Sequence, residues 1–222
     1  MRGKLVVIEG TDGSGKATQT ALLCDRLGAD NLKFTKLSFP RYDKPSSKLV
    51  EMYLQGEFGD DVNAVGPYEA SKFYAIDRYT SFVEDWGETY KNGGLIISDR
   101  YTTSNAVHQS AKMPKAERLE YFKWLSDIEY GSMGIPEPDL VIYLDMPLEA
   151  TEKFMRKREA STDTKADIHE KNSTYLAQCK EAALDAAKYY GWHIIECAKD
   201  GKPRDKKDIH EEIYEVVKKL LS

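Results

Sequence analysis

The sequence predicts an α/β fold in which a five-stranded parallel sheet is flanked by helices, and two observations support this. Five apolar runs rich in β-branched residues recur along the chain, and stretches with helical periodicity separate them. Because helices cover both faces of a parallel sheet, its strands are continuous apolar runs rather than alternating patterns. The five predicted strands are residues 5–8, 33–37, 95–97, 140–144 and 192–195.

Helical periodicity fills the stretches between these runs. Ala21, Leu22, Leu23 and Leu27 have helical periodicity before Gly28, which we expect to end that helix. A second apolar stripe lies within residues 209–220. Strand–helix alternation with right-handed crossovers produces a doubly wound sheet. No repeat or linker divides the chain, so a single domain over residues 1–222 is predicted.

Composition and charge exclude several classes of protein. A chain of 222 residues, 41% hydrophobic and 31% charged, buries a core without disulfides. No apolar run approaches the roughly 20 residues of a membrane span, so no membrane partner is expected. The formal net charge of −5 provides no overall positive field for nucleic acid. Three separated cysteines, at positions 24, 179 and 197, favour a reducing, cytoplasmic location.

A glycine-rich segment after the first predicted strand is the most informative motif. Residues 10–18 read Gly-Thr-Asp-Gly-Ser-Gly-Lys-Ala-Thr, and a helix is predicted to follow. In this arrangement backbone N–H groups surround phosphate oxygens and the lysine reaches the β- and γ-phosphates. A simple glycine turn is the alternative interpretation. We predict a nucleotide-binding loop whose contacts come from Gly10, Gly13, Ser14, Gly15, Lys16, Ala17 and Thr18.

One position of this loop departs from the usual pattern. The residue after the lysine is commonly Ser or Thr, whose hydroxyl ligates Mg²⁺, but here it is Ala17. Thr18 lies about 100° farther around the helix and is a poor substitute. Asp99 follows the third predicted strand and emerges at the same sheet edge, so we predict that it serves the Mg²⁺ site. Its alternative role is that of a helix N-cap.

Three arginines are expected near this edge of the sheet. Arg41 follows the second predicted strand and Arg100 follows the third. Arg78 lies in a helical stretch between them. Guanidinium groups bind phosphate through paired hydrogen bonds, so the set favours a phosphate monoester as acceptor. Taken singly, each arginine is better explained as a solvated surface charge, and only the set together with the loop favours an acceptor site.

The chain resembles the thymidylate kinases over nearly its whole length. The motifs that carry the resemblance are residues 10–19, Phe-Pro-Arg-Tyr at 39–42, Tyr-Ala-Ile-Asp-Arg at 74–78, Asp-Arg-Tyr at 99–101, and residues 138–145. The family resemblance implies a P-loop kinase fold with a mobile lid. It also implies transfer of the ATP γ-phosphoryl group to dTMP with Mg²⁺, and a homodimer.

The resemblance assigns catalytic roles to three residues. Asp12 would hydrogen-bond the sugar 3′-hydroxyl of dTMP and help to position its phosphate. Lys16 and Arg100 would stabilise charge on the transferred group, because phosphoryl transfer is catalysed mainly by positioning and charge neutralisation. Arg41, together with Arg100, would hold the acceptor phosphate.

The remaining substrate contacts also come from the resemblance. Arg78 would hydrogen-bond the thymine O4, and Tyr74 would stack on the base. Asn105 would contact the base edge and Tyr42 the phosphate end. His108 occupies a position that often holds a tyrosine against the deoxyribose, or it is an ordinary half-buried histidine.

A lid is expected at about residues 155–171. The loop position after Asp12 is Gly13 rather than arginine, so the lid would have to supply positive charge. Arg156 and Arg158 are predicted to contact ATP, by stacking on adenine or by reaching its phosphates. A solvated helix face is the alternative for this pair. Lys165 is the candidate for the usual lid arginine.

Two other functions remain open from the sequence. One is a related kinase that uses dUMP or a deoxynucleoside as acceptor. The other is a non-catalytic ATP-binding module, suggested by Ala17 and the arginine-poor lid. The basic segment 202–207 is expected to be solvated surface.

Overall fold

The computed structural model describes residues 2–161 and 173–222, and the side chains of 157–161 and 173 lie outside this description. Five strands form one parallel sheet: β1 (Lys4–Gly10), β2 (Phe34–Ser38), β3 (Leu95–Asp99), β4 (Leu140–Asp145) and β5 (His193–Glu196). Their spatial order is β2-β3-β1-β4-β5, and every neighbouring pair is parallel. The predicted five-stranded parallel sheet is therefore confirmed.

Helices connect these strands and cover both faces of the sheet. In the described parts of the chain they are α1 (Lys16–Ala29), α2 (Lys48–Leu54), α3 (Pro67–Ser81), α4 (Gly87–Lys91), α5 (Thr102–His108), α6 (Arg118–Ser126), α7 (Leu148–Ser161), α8 (Ser173–Tyr190) and α9 (Lys206–Leu221). A short antiparallel hairpin precedes α9, and each of its strands, β6 (Ala198–Lys199) and β7 (Lys202–Pro203), has two residues. None of the helices described here is both long and apolar enough to span a membrane.

Strand β1 lies at the centre of the sheet and is buried on both faces. Val6 and Ile8 pack with α1 and α9 on one side, whereas Leu5 and Val7 pack with Trp86 on the other. All four β1 side chains are fully buried. A continuous apolar run at β1 is therefore required by this position.

The parallel register brings the carboxyl ends of three strands together. Ile8 of β1 pairs with Asp99 of β3, and Ser38 of β2 also pairs with Asp99. The segments that follow these strands, which begin at Thr11, Phe39 and Arg100, consequently share one edge of the sheet. Ligand sites of open α/β sheets lie at this edge.

The predicted end of the first helix is wrong. Gly28 lies inside α1, which continues to Ala29. The left-handed residue after this helix is Asn31, with φ 59°, and Leu32 N–H donates to Leu27 O. Asparagine tolerates this conformation better than most residues, so it ends the helix in place of glycine.

A half-buried lysine ties the segment after α5 to α2. Lys112 Nζ donates to Tyr53 Oη at 2.6 Å and to Val65 O at 3.2 Å. Burial lowers the pKa of Lys112 to about 8, although the Asp61 carboxylate acts in the opposite direction. The neutral amine still donates to both oxygens, so deprotonation preserves these contacts.

This pKa predicts stability that rises with pH. Between pH 8 and pH 10.5 the unfolded chain keeps the Lys112 proton while the folded chain has lost it, so the free energy of unfolding increases by about 2 to 3 kcal/mol. Urea unfolding of wild type and Lys112→Met across this range measures the effect as their difference. The exposed Lys123→Met variant is the control. A Lys112→Met variant with the pH dependence of wild type would contradict the prediction.

Candidate active site

Two adjoining cavities lie at the carboxyl edge of the sheet. The first, the loop cavity, has a volume of about 540 Å³ and is lined by residues 12–19 together with Asp99. The second, the arginine cavity, has a volume of about 230 Å³ and is lined by Arg78 and Tyr101 among others. Asp12, Phe39 and Arg100 line both cavities. Two ligands bound in these cavities would therefore meet at Asp12 and Arg100.

The glycine-rich segment adopts the tight turn that the motif predicts. Gly13 and Gly15 have φ values of 77° and 94°, which strongly favour glycine. A Cβ atom on Gly13 would also lie 2.5 Å from Thr151 O of α7. Among the described residues, the buried hydroxyls of Thr11 and Ser14 find no hydrogen-bond partner. Buried polar groups without partners are expected where a ligand binds, so this loop fits a phosphate chain.

Lys16 lies at the start of α1 with only 7% of its surface exposed. Its Nζ donates to Gly10 O at 2.8 Å and to Thr11 O at 2.9 Å, and it lies 3.8 Å from Asp12 Oδ1. Burial, together with the nearby Arg100 charge, lowers its pKa. The loop therefore holds a cation at the end of a helix whose N-terminus also favours anions.

Asp99 closes β3 and lines the loop cavity with Ala17 and Thr18. Burial raises the pKa of the Asp99 carboxyl, and the Lys16 charge opposes this shift. No group of three potential metal-ligating side chains occurs in the described ranges. One carboxylate beside a phosphate site fits Mg²⁺, which keeps several waters and is bound mainly through substrate phosphates.

Arg100 connects the two cavities. Its backbone has φ 66°, a left-handed conformation that is unusual for arginine, and its N–H donates to Ile8 O at 3.1 Å. Its guanidinium donates to Asp12 through Nη2 and to Ser104 Oγ through Nη1 at 3.2 Å. The fully buried Glu9 carboxylate lies 3.6 Å from Nη1. Burial alone would lower the Arg100 pKa, but the Asp12 and Glu9 carboxylates raise it overall.

Arg78 is buried in the arginine cavity and is paired with a carboxylate, that of Glu129, which the sequence analysis missed. Its Nε and Nη2 donate to the two carboxylate oxygens of Glu129 at 2.6 and 2.5 Å. Its Nη1 donates to Tyr101 O at 3.3 Å. Burial acts to lower the Arg78 pKa, but Glu129 outweighs it. Asn105 Nδ2 donates to the same carboxylate at 3.3 Å, so Glu129 orients two predicted base contacts.

The arginine cavity collects most of the predicted substrate residues. Seven of the eight line it: Asp12, Tyr42, Tyr74, Arg78, Arg100, Asn105 and His108. Tyr74 lines the cavity, whereas its neighbour Phe73 packs against Phe58 with ring centroids 5.6 Å apart. The preference for Tyr74 over Phe73 therefore agrees with the geometry.

Arg41 is the predicted substrate residue that does not line either cavity. Its Nε donates to Asp77 Oδ1 at 3.1 Å, and Nη1 donates to Asp85. Its Nη2 donates to Ser46 Oγ at 2.9 Å. This arginine is thus occupied by two carboxylates, and a role in phosphate binding stays a prediction.

Gln109 is a second residue that the sequence analysis missed. It is fully buried, it lines the arginine cavity, and its side-chain oxygen and nitrogen have no hydrogen-bond partner in the described part of the protein. Its spacing of four residues from Asn105 was the available signal, because such residues share a helical face. An unpaired buried amide is suited to a ligand with both donor and acceptor groups.

Segment 202–207 is solvated surface as expected, since all of it except the half-buried Arg204 is exposed, but part of it also faces the loop cavity. Pro203, Arg204 and Lys206 line the loop cavity. Arg204 Nη1 donates to Glu196 O at 2.6 Å and lies 2.8 Å from Glu212. The β6–β7 hairpin brings this segment to the cavity, a contact that local composition does not indicate.

The predicted lid is only partly described. Arg156 lies on α7, has 80% of its side chain exposed, and forms an ion pair with Glu152 at 3.6 Å. It does not line either cavity. Arg158 also lies in α7, but its side chain is outside the described residues, as is Lys165. The lid contacts therefore stay predictions.

The buried pair of Arg78 and Glu129 predicts a large and specific loss of stability. Glu129→Gln would leave a buried, uncompensated guanidinium, so we expect the free energy of unfolding to fall by about 3 to 5 kcal/mol in urea titrations. The exposed Glu137→Gln variant should change it by less than about 0.5 kcal/mol. Adding Arg78→Gln to Glu129→Gln should recover part of the loss. If Glu129→Gln and Glu137→Gln had equal free energies of unfolding, the buried Arg78–Glu129 pair would not contribute as argued.

The chain is similar to thymidylate kinases both in a family model and in individual proteins. A family model described as thymidylate kinase matches residues 8–213. A thymidylate kinase from Mycobacterium tuberculosis is 28% identical over 189 residues, which cover 85% of this chain and 87% of that protein. One from Thermoanaerobacter pseudethanolicus is 28% identical over 221 residues, and all of both chains is covered.

A solved structure has the same fold. The thymidylate kinase from Candida albicans superposes with a TM-score of 0.72 and 24% identity. The match covers 98% of this chain and 92% of that one.

Proposed function

The chain belongs to the thymidylate kinase family, as its motifs predicted, and on this premise we propose that it transfers the γ-phosphoryl group of ATP to dTMP. The products would be dTDP and ADP. One observation carries the proposal: a phosphate-loop cavity and a cavity lined by seven predicted substrate residues meet at Asp12 and Arg100. Transfer between two bound nucleotides requires such a junction.

ATP would occupy the loop cavity. The backbone of residues 13–18, the hydroxyls of Thr11 and Ser14, and Lys16 would bind its phosphates. Met146 and Phe154 provide apolar surface in the same cavity for the base. Because Lys16 is already held by loop carbonyls, little ordering is needed when phosphate arrives.

The acceptor nucleotide would occupy the arginine cavity. Tyr74 provides an aromatic face for the base, and Arg78, oriented by Glu129, provides donors for a base carbonyl. Asn105 and Gln109 line the same region and add amide groups. The acceptor phosphate would then lie near Arg100, and the sugar hydroxyl near Asp12.

The reaction needs positioning rather than covalent work by the protein. An oxygen of the dTMP phosphate attacks the γ-phosphorus of ATP, the bond from that phosphorus to the β–γ bridging oxygen breaks, and ADP leaves with the electron pair. Lys16 and Arg100 are placed to neutralise charge on the equatorial oxygens. The acceptor phosphate is already anionic, so no strong general base is required.

Magnesium would be held by the ATP phosphates, by water and by Asp99. When bound, it would supply positive charge beside the phosphate oxygens. The protein contributes a carboxylate here rather than the usual loop hydroxyl, because Ala17 replaces that residue.

Metal removal tests this assignment. Chelation with EDTA should abolish ADP release, and added Mg²⁺ should restore it. Asp99→Asn should raise the Mg²⁺ concentration for half-maximal rate by about tenfold, since it removes the one charged protein ligand. The exposed Asp25→Asn variant serves as control. Identical Mg²⁺ dependence of the two variants would remove Asp99 from the metal site.

A homodimer is part of the proposal. Ile76 and Tyr79 of α3, with Val83 in the π-helical segment Phe82–Trp86 that continues it, are 43%, 43% and 62% exposed, and their spacing puts them on one helical face. A second copy would cover this stripe. Sedimentation equilibrium should give twice the 25.2 kDa protomer mass, and a single-protomer mass at micromolar concentration would exclude the dimer.

We further propose a cytoplasmic location. Cys24, Cys179 and Cys197 are free and buried, which is usual in a reducing compartment. Cell fractionation with recovery outside the cytoplasm would reject it.

A panel of acceptors tests the function directly. ADP release with Mg²⁺ and ATP should be fastest with dTMP among dTMP, dUMP, dCMP, AMP and thymidine. Turnover with dUMP or thymidine alone would keep the kinase and overturn the base-site assignment. Folded protein that binds ATP without turnover would favour the non-catalytic module.

The Arg78 assignment predicts a selective loss of acceptor binding. Arg78→Ala should raise the KM for dTMP at least tenfold, while the KM for ATP changes less than about twofold, because one charged hydrogen-bond donor to the base is lost. Arg78→Gln combined with Glu129→Gln keeps the pair neutral and guards against misfolding. Exposed Arg2→Ala is the control. Equal effects on both substrates would reject the role.

A further inference from the structure

His108 lies between Arg100 and helix α8. Its Nε2 is 3.2 Å from Arg100 Nη1, and its Nδ1 is 3.6 Å from Cys179 Sγ. Its backbone carbonyl accepts a 2.7 Å hydrogen bond from Tyr175 Oη. The residue is buried, with only 7% of its surface exposed. Contacts from both ends of the ring fix its orientation.

The chemistry of these partners determines the imidazole tautomer. A guanidinium has only donors, so the contact with Arg100 requires a lone pair on Nε2. The hydrogen of a neutral ring is then on Nδ1, facing Cys179 Sγ, a weak acceptor. Burial raises the pKa of the Cys179 thiol, so this sulfur stays uncharged. The ring therefore fits this site in the neutral form.

His108 contacts Nη1 of Arg100, which is not the nitrogen that donates a hydrogen bond to Asp12. Arg100 Nη2 donates to Asp12, whereas Nη1 faces His108 and Ser104. Held from both sides, the guanidinium stays at the junction of the two cavities. Without the Nε2 acceptor, Nη1 would retain Ser104 and the more distant Glu9 carboxylate.

We propose that His108 is a positioning residue, whose neutral imidazole accepts a hydrogen bond from Arg100 and holds that guanidinium where the phosphoryl group is transferred. The inference rests on the proposed function, since it concerns the rate of that transfer. A role as a passive wall against the sugar would instead act on acceptor binding.

Protonation of the ring would break this contact. An Nε2–H would point a donor at a donor and add a second cation 3.2 Å from Arg100. The tautomer and charge of the ring therefore report directly on this contact.

Two variants of equal polarity isolate the Nε2 contact. In His108→Gln the side-chain amide reaches as far as Nε2, whereas in His108→Asn it reaches only as far as Nδ1. At pH 8 we expect kcat for dTMP to be about tenfold higher in the Gln variant than in the Asn variant, as expected for one hydrogen bond to a charged group. Equal kcat values with changes only in KM would overturn the proposal in favour of the passive wall.

A second measurement does not depend on the substrate. Nitrogen-15 spectra of the imidazole rings, with His108 assigned by its loss in His108→Asn, should show the Nδ1–H tautomer at pH 7.5. An Nε2–H tautomer or a charged ring would overturn the proposal. Absence of turnover with dTMP in wild type, together with the expected tautomer, would instead reject the proposed function and retain the contact with Arg100.

Discussion

The ion pair between Arg100 and Asp12 is the interaction on which the site depends. It joins the residue after β3 to the loop after β1, so the two cavities have a common wall. Parallel pairing of β1 with β3 sets the distance that this pair must cross. Glu9, fully buried at the end of β1, adds negative charge beneath Arg100. The sheet register therefore also determines where the charges of Asp12, Glu9 and Arg100 lie relative to one another.

The site contains several cations with little exposed surface, and each is held by protein oxygens. Lys16 is bound by loop carbonyls, Arg78 by the Glu129 carboxylate, and Arg100 by Asp12. Buried charges are costly unless they are paired in this way. Holding them in place before substrate binds reduces the ordering that catalysis requires. The same pairing lets a small domain place positive charge inside its structure.

Much of the fold and part of the site could be predicted from the sequence, because those features are local. The strands are continuous apolar runs, and the glycines of the loop motif themselves indicate the backbone conformation of the turn. Gln109 had a local signal in its spacing from Asn105 that was not used, whereas Glu129 was missed because its role depends on a contact between distant segments. For the same reason the composition of segment 202–207 did not reveal that Arg204 and Lys206 reach the loop cavity. The neighbours of Arg41 were likewise not visible in its motif.

The backbone at Arg100 has a consequence for engineering. Its φ of 66° costs an arginine about 1 kcal/mol, and glycine would adopt the same conformation without this cost. Glycine would nevertheless leave the buried Glu9 carboxylate without the cation beside it, which costs more than the relaxed backbone returns. A library screened for heat resistance alone is therefore expected to keep arginine here, because at this position durability and catalytic competence favour the same residue.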